Sequence, residues 1–141
     1  SQSYLSGFNN ENIFIWDNYF TTDSCPKNIN LSLCDHLSFE FLGSKKCYLI
    51  NLTGMPRTDK LLVELFGSFK QGEKDCFEKI LLRHGVDERL LDLMHLLNPN
   101  SKNKLHDKDK HKIHEIMFSW FHPLKNEWYP YLHNLKKGEN L

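Results

Sequence analysis

The chain has 141 residues, of which 40% are hydrophobic and 13% aromatic, and 18 Lys and Arg balance 18 Asp and Glu. This composition excludes an intrinsically disordered chain, which combines low hydrophobicity with high net charge. The zero net charge gives no overall field that would hold a nucleic acid or an anionic membrane surface. The length suits one domain, and we expect residues 1–141 to form a single α+β domain with a loose terminus at residues 1–11.

The first half of the chain has the period-two hydrophobicity of β-strands. Ile13–Phe20 is short, β-branched and aromatic, and from Ile29 to Phe41 the apolar residues share odd positions. A turn at Gly43–Lys46 then leads into another apolar segment, Cys47–Leu52, and this arrangement predicts a β-hairpin. We therefore expect a small N-terminal antiparallel sheet of three to four strands.

After residue 53 the hydrophobic period changes to 3.6, which indicates helices. Thr58 is placed to cap the first helix, whose apolar face ends at Phe69. Gly85 ends a second helix and Pro99 stops a third. Strands followed by helices, without alternation of the two, are typical of an α+β fold in which helices cover one face of the sheet.

A fourth amphipathic helix is predicted over Asp107–His122, before Pro123. Its predicted core face contains Ile113, Ile116, Met117, Trp120 and Phe121. An aromatic-rich segment at 128–132 follows and leads into a helical turn near Gly138. The fold prediction is thus a small antiparallel sheet packed against four to five C-terminal helices.

Potential metal ligands are concentrated at the start of this fourth helix. His111 and Glu115 share a face at i and i+4, and His114 lies about 60° away on the helical wheel. The zincin order His-Glu-x-x-His is absent, and a calcium loop fails because Lys112 stands where glycine is required. We therefore predict no metal and no cofactor, and retain His111, His114 and Glu115 as the nearest approach to a metal site.

Aromatic side chains are concentrated near the end of the sequence. Phe118 lies on the polar face of its predicted helix, and four further candidates for partner contact follow it, namely His122, Trp128, Tyr129 and Tyr131. Aromatic residues of this kind give large contact areas at small entropic cost and are enriched in protein interfaces. The other interpretation is that the segment folds back and closes the core.

Three lysine clusters, Lys45–Lys46, Lys102–Lys112 and Lys136–Lys137, are the candidates for a nucleic-acid surface. Asp107 and Asp109 interrupt the middle cluster, so we do not expect a nucleic-acid partner. No apolar run has the roughly 20 residues of a membrane span. We expect a cytoplasmic protein, although 4 Cys and two Asn-x-Ser/Thr patterns keep secretion open.

These observations predict a non-catalytic module that binds another protein. A bacterial-type immunity or inhibitor protein is one class that fits, and an adaptor module is another. The opposing hypothesis is a small metal-dependent or histidine-based hydrolase or nuclease that uses the residues from His106 to Glu115.

Overall fold

Two short strands lie side by side before the helices begin. The computed structural model describes residues 14–18, 29, 47–73, 76–97 and 105–138. Strand β1 is Phe14–Asp17 and strand β2 is Cys47–Ile50. They run parallel, with Phe14 opposite Cys47 and Asp17 opposite Ile50. The Asn51 amide extends the pairing by donating to the Asp17 carbonyl at 2.8 Å.

The predicted antiparallel sheet of three to four strands is wrong. Within the described residues the sheet has two strands, they are parallel, and the fold is mostly helical. Hydrophobic alternation indicates which side chains share a face of a strand, but it specifies neither the strand's partner nor its direction. Most of the segment from Ile29 to Phe41 lies outside the described residues, although Ile29 itself is fully buried in the core.

Five helices follow in the described part of the chain. The α-helices are α1 (Pro56–Lys70), α2 (Phe77–Arg83), α3 (Asp107–Ser119) and α4 (Leu124–Lys137). Glu88–Leu97, between α2 and α3, forms a 3₁₀ helix, here named η1. None of these described helices has both the length and the apolarity required to cross a membrane.

Helix α4 is longer than the predicted helical turn, and it includes Trp128–Leu132. Pro130 lies inside it, where the ring removes one backbone donor and costs about 3 kcal/mol relative to Ala. The carbonyl of Asn126 loses the donor that residue 130 would normally provide. Pro130 and Asn126 are both exposed, so water can bind that carbonyl instead. Burial of the apolar face of α4 offsets this cost, through Leu124, Trp128, Tyr131, Leu132 and Leu135.

One buried cluster joins all five helices. Leu61, Leu62 and Leu65 of α1 pack with Ile113, Ile116 and Met117 of α3 and with the apolar face of α4. Helices α3 and α4 form a hairpin, and α4 also contacts α1 and η1. Trp128 is fully buried, and its ring meets the Trp120 ring edge to face with the centroids 5.8 Å apart.

The N-terminus of α1 is capped by a residue that is distant in sequence. Glu127 of α4 accepts hydrogen bonds from the Arg57 and Thr58 amides at 3.0 and 2.8 Å and from the Thr58 hydroxyl at 2.7 Å. The indole of Trp128 donates to the same hydroxyl at 3.0 Å. Thr58 is therefore a buried residue of the first turn, and the prediction that it forms the N-cap is wrong because α1 begins at Pro56, after Met55.

Candidate protein-binding surface

Two phenylalanines are displayed to solvent where α3 ends. Phe118 is 68% exposed and Phe121 is 90% exposed. The prediction that Phe121 packs in the core is wrong, because α3 ends at Ser119 and Trp120 is extended. The helical rotation that placed Phe121 beside Trp120 therefore does not continue, and the side chain turns outward. Large exposed apolar side chains that lie together are typical of interaction sites.

Phe121 is held in this position by its two neighbours, which both contact Gly85. The Trp120 indole donates to the Gly85 carbonyl at 2.9 Å. The His122 imidazole lies against the Gly85 α-carbon, where any added side chain would overlap the ring. Its Nδ1 also accepts a hydrogen bond from the Leu124 amide at 3.2 Å. The backbone on both sides of Phe121 is thereby fixed to the loop after α2.

Lys125 lies over the exposed Phe121 ring. Its ammonium lies 5.8 Å from the ring centroid, which is a cation–π distance. The same ammonium donates to the Met117 carbonyl at 3.0 Å, one of the last carbonyls of α3. Lys125 therefore stabilises the end of α3 and at the same time places a positive charge beside the aromatic ring.

A second aromatic and basic group lies further along the hairpin. The rings of Phe118 and His114 meet edge to face, with centroids 4.8 Å apart. His114 Nδ1 lies 2.8 Å from the Lys136 ammonium, which spans from α4 to α3. An ammonium can only donate, so the imidazole accepts at Nδ1. The Lys136 charge is thereby positioned next to the paired rings of Phe118 and His114.

Helix α4 connects these two groups. Tyr129 is 45% exposed and stacks on His133, with the ring planes 18° apart and centroids 6.2 Å apart. Lys125, Tyr129 and His133 follow each other at i+4, and Lys136 follows His133 at i+3, so they are neighbours on one face of the helix. We call the resulting area the hairpin surface, and its residues are His114, Phe118, Phe121, Lys125, Tyr129, His133 and Lys136.

The hairpin surface contains no carboxylate. The nearby Glu127 is engaged with the N-terminus of α1, and Glu115 pairs with His111 at 3.4 Å. The surface thus combines two lysines and two histidines with three aromatic rings, the side-chain type that is enriched at protein interfaces.

The structure separates the predicted partner-binding residues into three groups. Phe118 and Tyr129 are exposed on the hairpin surface, whereas Trp128 and Tyr131 are buried against the core. His122 is partly buried on Gly85 and positions Phe121. The role of these residues in partner binding stays a prediction. Sequence reasoning missed Phe121: Pro123 indicates that the helix ends by His122, but it does not mark the earlier end at Ser119.

The nearest approach to a metal site is dispersed. His111 and Glu115 form an exposed ion pair, while His114 turns toward Phe118 and Lys136. Across the described ranges no three His, Cys, Asp or Glu side chains come together as a metal site would require.

A separate cleft of about 470 Å³ lies between η1 and the start of α3. Its walls carry His95 and His106 together with Asp92, Leu93, Lys108, Asp109 and Lys112. The Lys112 ammonium donates to Asp92 at 2.9 Å, and the Asp109 carboxylate accepts from the His106 amide at 3.1 Å. Of the charged residues that line the cleft, Asp92 and Lys112 thus pair with each other, and Asp109 binds the backbone at the start of α3.

Comparisons of this chain with protein-family models, with curated protein sequences and with solved structures give no significant match. The hairpin surface itself is therefore the basis for inferring the function.

Proposed function

We propose that the protein is a non-catalytic module that binds another protein through the hairpin surface. The observation that carries the proposal is Phe121, a large apolar side chain that is 90% exposed and yet anchored on both sides. An exposed phenylalanine contributes nothing to the core. Because the backbone of Phe121 is already fixed, binding a partner there would cost less conformational entropy than binding at a flexible loop. Both features favour a residue whose burial occurs in a complex.

The size of the aromatic contribution supports a specific complex. Full burial of one phenylalanine is worth about 1.5–3 kcal/mol, so Phe118 and Phe121 together can supply about 3–6 kcal/mol. Association itself costs on the order of 4–15 kcal/mol. The two rings would therefore act as energetic anchors, and Tyr129 with the surrounding polar groups would have to complete the interface.

An inhibitor or a bacterial-type immunity protein is the class that suits such a surface best. Proteins of this class act by covering a partner's working surface, so they need contact residues and no catalytic group. We also propose a cytoplasmic location. There the Cys76 thiol, which forms no disulfide in the structure, would stay reduced.

The cleft between η1 and α3 supports a second candidate, a histidine-based hydrolase or nuclease. His95 and His106 both line it, and two imidazoles near carboxylates are sufficient for acid–base chemistry. This hypothesis predicts turnover of a general phosphodiester or ester substrate. That turnover should be lost in His95→Ala/His106→Ala with the circular dichroism spectrum unchanged. A binding module would show no turnover in either protein.

Quantitative affinity capture from cells that naturally make the protein tests the proposed function. We expect one or a few proteins to be retained by the wild type and lost with Phe118→Ser/Phe121→Ser. The matched control is Val63→Ser/Leu82→Ser, which removes two exposed apolar side chains outside the hairpin surface and should retain the same proteins. Equal retention by both double variants would refute a role for the hairpin surface.

A further inference from the structure

We infer that the partner presents an acidic segment with an apolar anchor, so that carboxylates meet the two lysines while the anchor packs on the rings. This inference rests on the proposed function and adds the chemistry of the partner. It follows from the charges of the hairpin surface and from their spacing along α4.

The charge of the hairpin surface is of one sign. Lys125 and Lys136 are its permanent charges, and none of its seven residues is Asp or Glu. Both ammonium groups are oriented by neutral acceptors, the Met117 carbonyl and the His114 imidazole. Within the part of the chain that the structure describes, neither lysine is paired with a carboxylate.

Four basic side chains elsewhere among the described residues are paired with carboxylates, unlike Lys125 and Lys136. Arg83 binds Glu64, Arg89 binds Asp87, Lys110 binds Asp107, and Lys112 binds Asp92. The net charge of the whole chain is +0 at pH 7, so a local excess of positive charge must be compensated elsewhere on the molecule. The hairpin surface is therefore a local positive area on a neutral protein, and it should orient an acidic partner during encounter.

The positions of the two lysines restrict the shape of that partner. Lys125 and Lys136 are eleven positions apart on α4, which at 1.5 Å per residue separates their backbones by about 16 Å. The rings of Phe121 and Tyr129 contact Lys125 and His133 of this face, and the Phe118 ring contacts His114 of α3, which Lys136 also contacts. The two ammonium groups lie closer together than the backbones of the two lysines, because they reach Met117 and His114, which are one turn apart on α3. Acidic residues a few positions apart in an extended segment would therefore reach both lysines.

Selection from a phage library of random peptides tests this inference without a known partner. The library is selected in parallel on the wild-type protein, on Phe118→Ser/Phe121→Ser, and on Lys125→Gln/Lys136→Gln. On the wild type we expect enriched peptides with Asp or Glu on both sides of a large apolar residue. On the lysine variant the apolar residue should remain enriched while the acidic residues disappear, and on the phenylalanine variant these peptides should not be enriched at all.

Synthetic peptides make the result quantitative. For the most enriched peptide, replacing each Asp and Glu by Asn and Gln should weaken binding to the wild type about fivefold, as expected for two exposed charge pairs. The same replacement should leave binding to Lys125→Gln/Lys136→Gln unchanged. Fluorescence anisotropy measures both. Because the charge is removed from the peptide, this comparison stays decisive even if the lysine variant is less stable.

Two other outcomes are separable. Enriched peptides that depend on Phe118 and Phe121 but carry no acidic residues, or carry Lys and Arg, would overturn the acidic partner and leave the protein-binding function standing. Peptides enriched equally on the wild type and on Phe118→Ser/Phe121→Ser, or no enrichment on either, would overturn both proposals.

Discussion

Gly85 fixes the backbone on both sides of Phe121, between α3 and α4. It has a left-handed backbone at φ +85°, its carbonyl accepts from the Trp120 indole, and the His122 ring occupies the place of a side chain. Only glycine satisfies both the conformation and the contact. The position of Phe121 therefore follows from a residue that lies outside the hairpin surface.

Replacing Gly85 by alanine should destabilise the protein by about 2–5 kcal/mol. The left-handed backbone accounts for about 1–2 kcal/mol and overlap with His122 for about 1–3 kcal/mol. Gly54→Ala is the matched control, because Gly54 has φ +76° and open space around it, so only the backbone cost of about 1–2 kcal/mol should appear. Urea denaturation measures the free energy of unfolding in each variant.

A double-mutant cycle separates the two costs. In a His122→Ala background the overlap is gone, so Gly85→Ala should cost no more than Gly54→Ala does. If Gly85→Ala costs the same with and without His122, the imidazole does not occupy the space above Gly85.

His84 provides a pH-dependent contribution to stability. Its Nε2 lies 2.6 Å from Glu64 Oε2, and Arg83 pairs with the same carboxylate. Burial of the imidazole, followed by the positive charges of Lys60 and Arg83, lowers the pKa of His84 below its ordinary value. The folded state thus favours the neutral imidazole, which donates to Glu64.

The lowered pKa of His84 predicts a loss of stability in acid. Between the folded-state pKa and the unfolded value of about 6.5, the unfolded chain binds more protons, so the free energy of unfolding decreases as the pH falls through that window. The decrease should be steeper in the wild type than in His84→Gln, measured by urea denaturation at several pH values. A His84 contribution that grows as the pH falls would mean that ion pairing with Glu64 outweighs burial.

At the scale of elements, α1 and α4 are joined by the Glu127 carboxylate. Its two oxygens accept three hydrogen bonds from Arg57 and Thr58, which satisfies donors at the positive end of α1. The adjacent Trp128 is fully buried and donates to Thr58. The two consecutive residues thus fix the contact between these helices.

Removing the Glu127 carboxylate should lower the free energy of unfolding more than is usual for a partly exposed residue. Glu127→Ala should destabilise the protein by about 2 kcal/mol, since charge-assisted hydrogen bonds contribute about 1.5–3 kcal/mol. Glu78→Ala, an exposed first-turn glutamate of α2, should change stability by at most about 0.5 kcal/mol. Thermal and urea denaturation report both values, and equal effects of the two substitutions would contradict the capping role of Glu127.

The elements were predictable from the sequence to different degrees. The apolar faces of α1 and α3 follow from a 3.6 period, and most of their predicted core residues are buried. The parallel pairing of β1 with β2 could not be predicted, because alternation carries no information on direction. Helix α4 was predicted too short because Pro130 argues against a helix, and burial around Trp128 overrides that local preference.

The candidate site was less predictable than the core. Phe118 was expected to be exposed from its position on the polar face, and it is. Phe121 was assigned to the core because the periodic pattern gives no sign that α3 ends at Ser119. The contacts of Lys125, His133 and Lys136 depend on how α3 and α4 pack together. Hydrophobic periodicity gives no information on that packing.

At the scale of the whole molecule, buried and displayed aromatic residues should differ sharply in their effect on stability. Trp128→Ala should cost about 3–5 kcal/mol, because a fully buried side chain leaves a cavity. Phe118→Ser/Phe121→Ser should change the free energy of unfolding by no more than about 1 kcal/mol, since the rings lose only surface contacts with His114 and Lys125. A large loss of stability in the double variant would mean that these rings support the fold.

Site-specific photocrosslinking in the cells that make the protein tests the central claim most directly. A photoreactive phenylalanine analogue is placed at Phe121, and in a second protein at Val63, which is 55% exposed on α1 outside the hairpin surface. A protein that docks on the hairpin surface should give a discrete crosslinked species from position 121 and none from position 63. No crosslink from position 121, or the same crosslinks from both positions, would contradict the claim that this surface binds a partner.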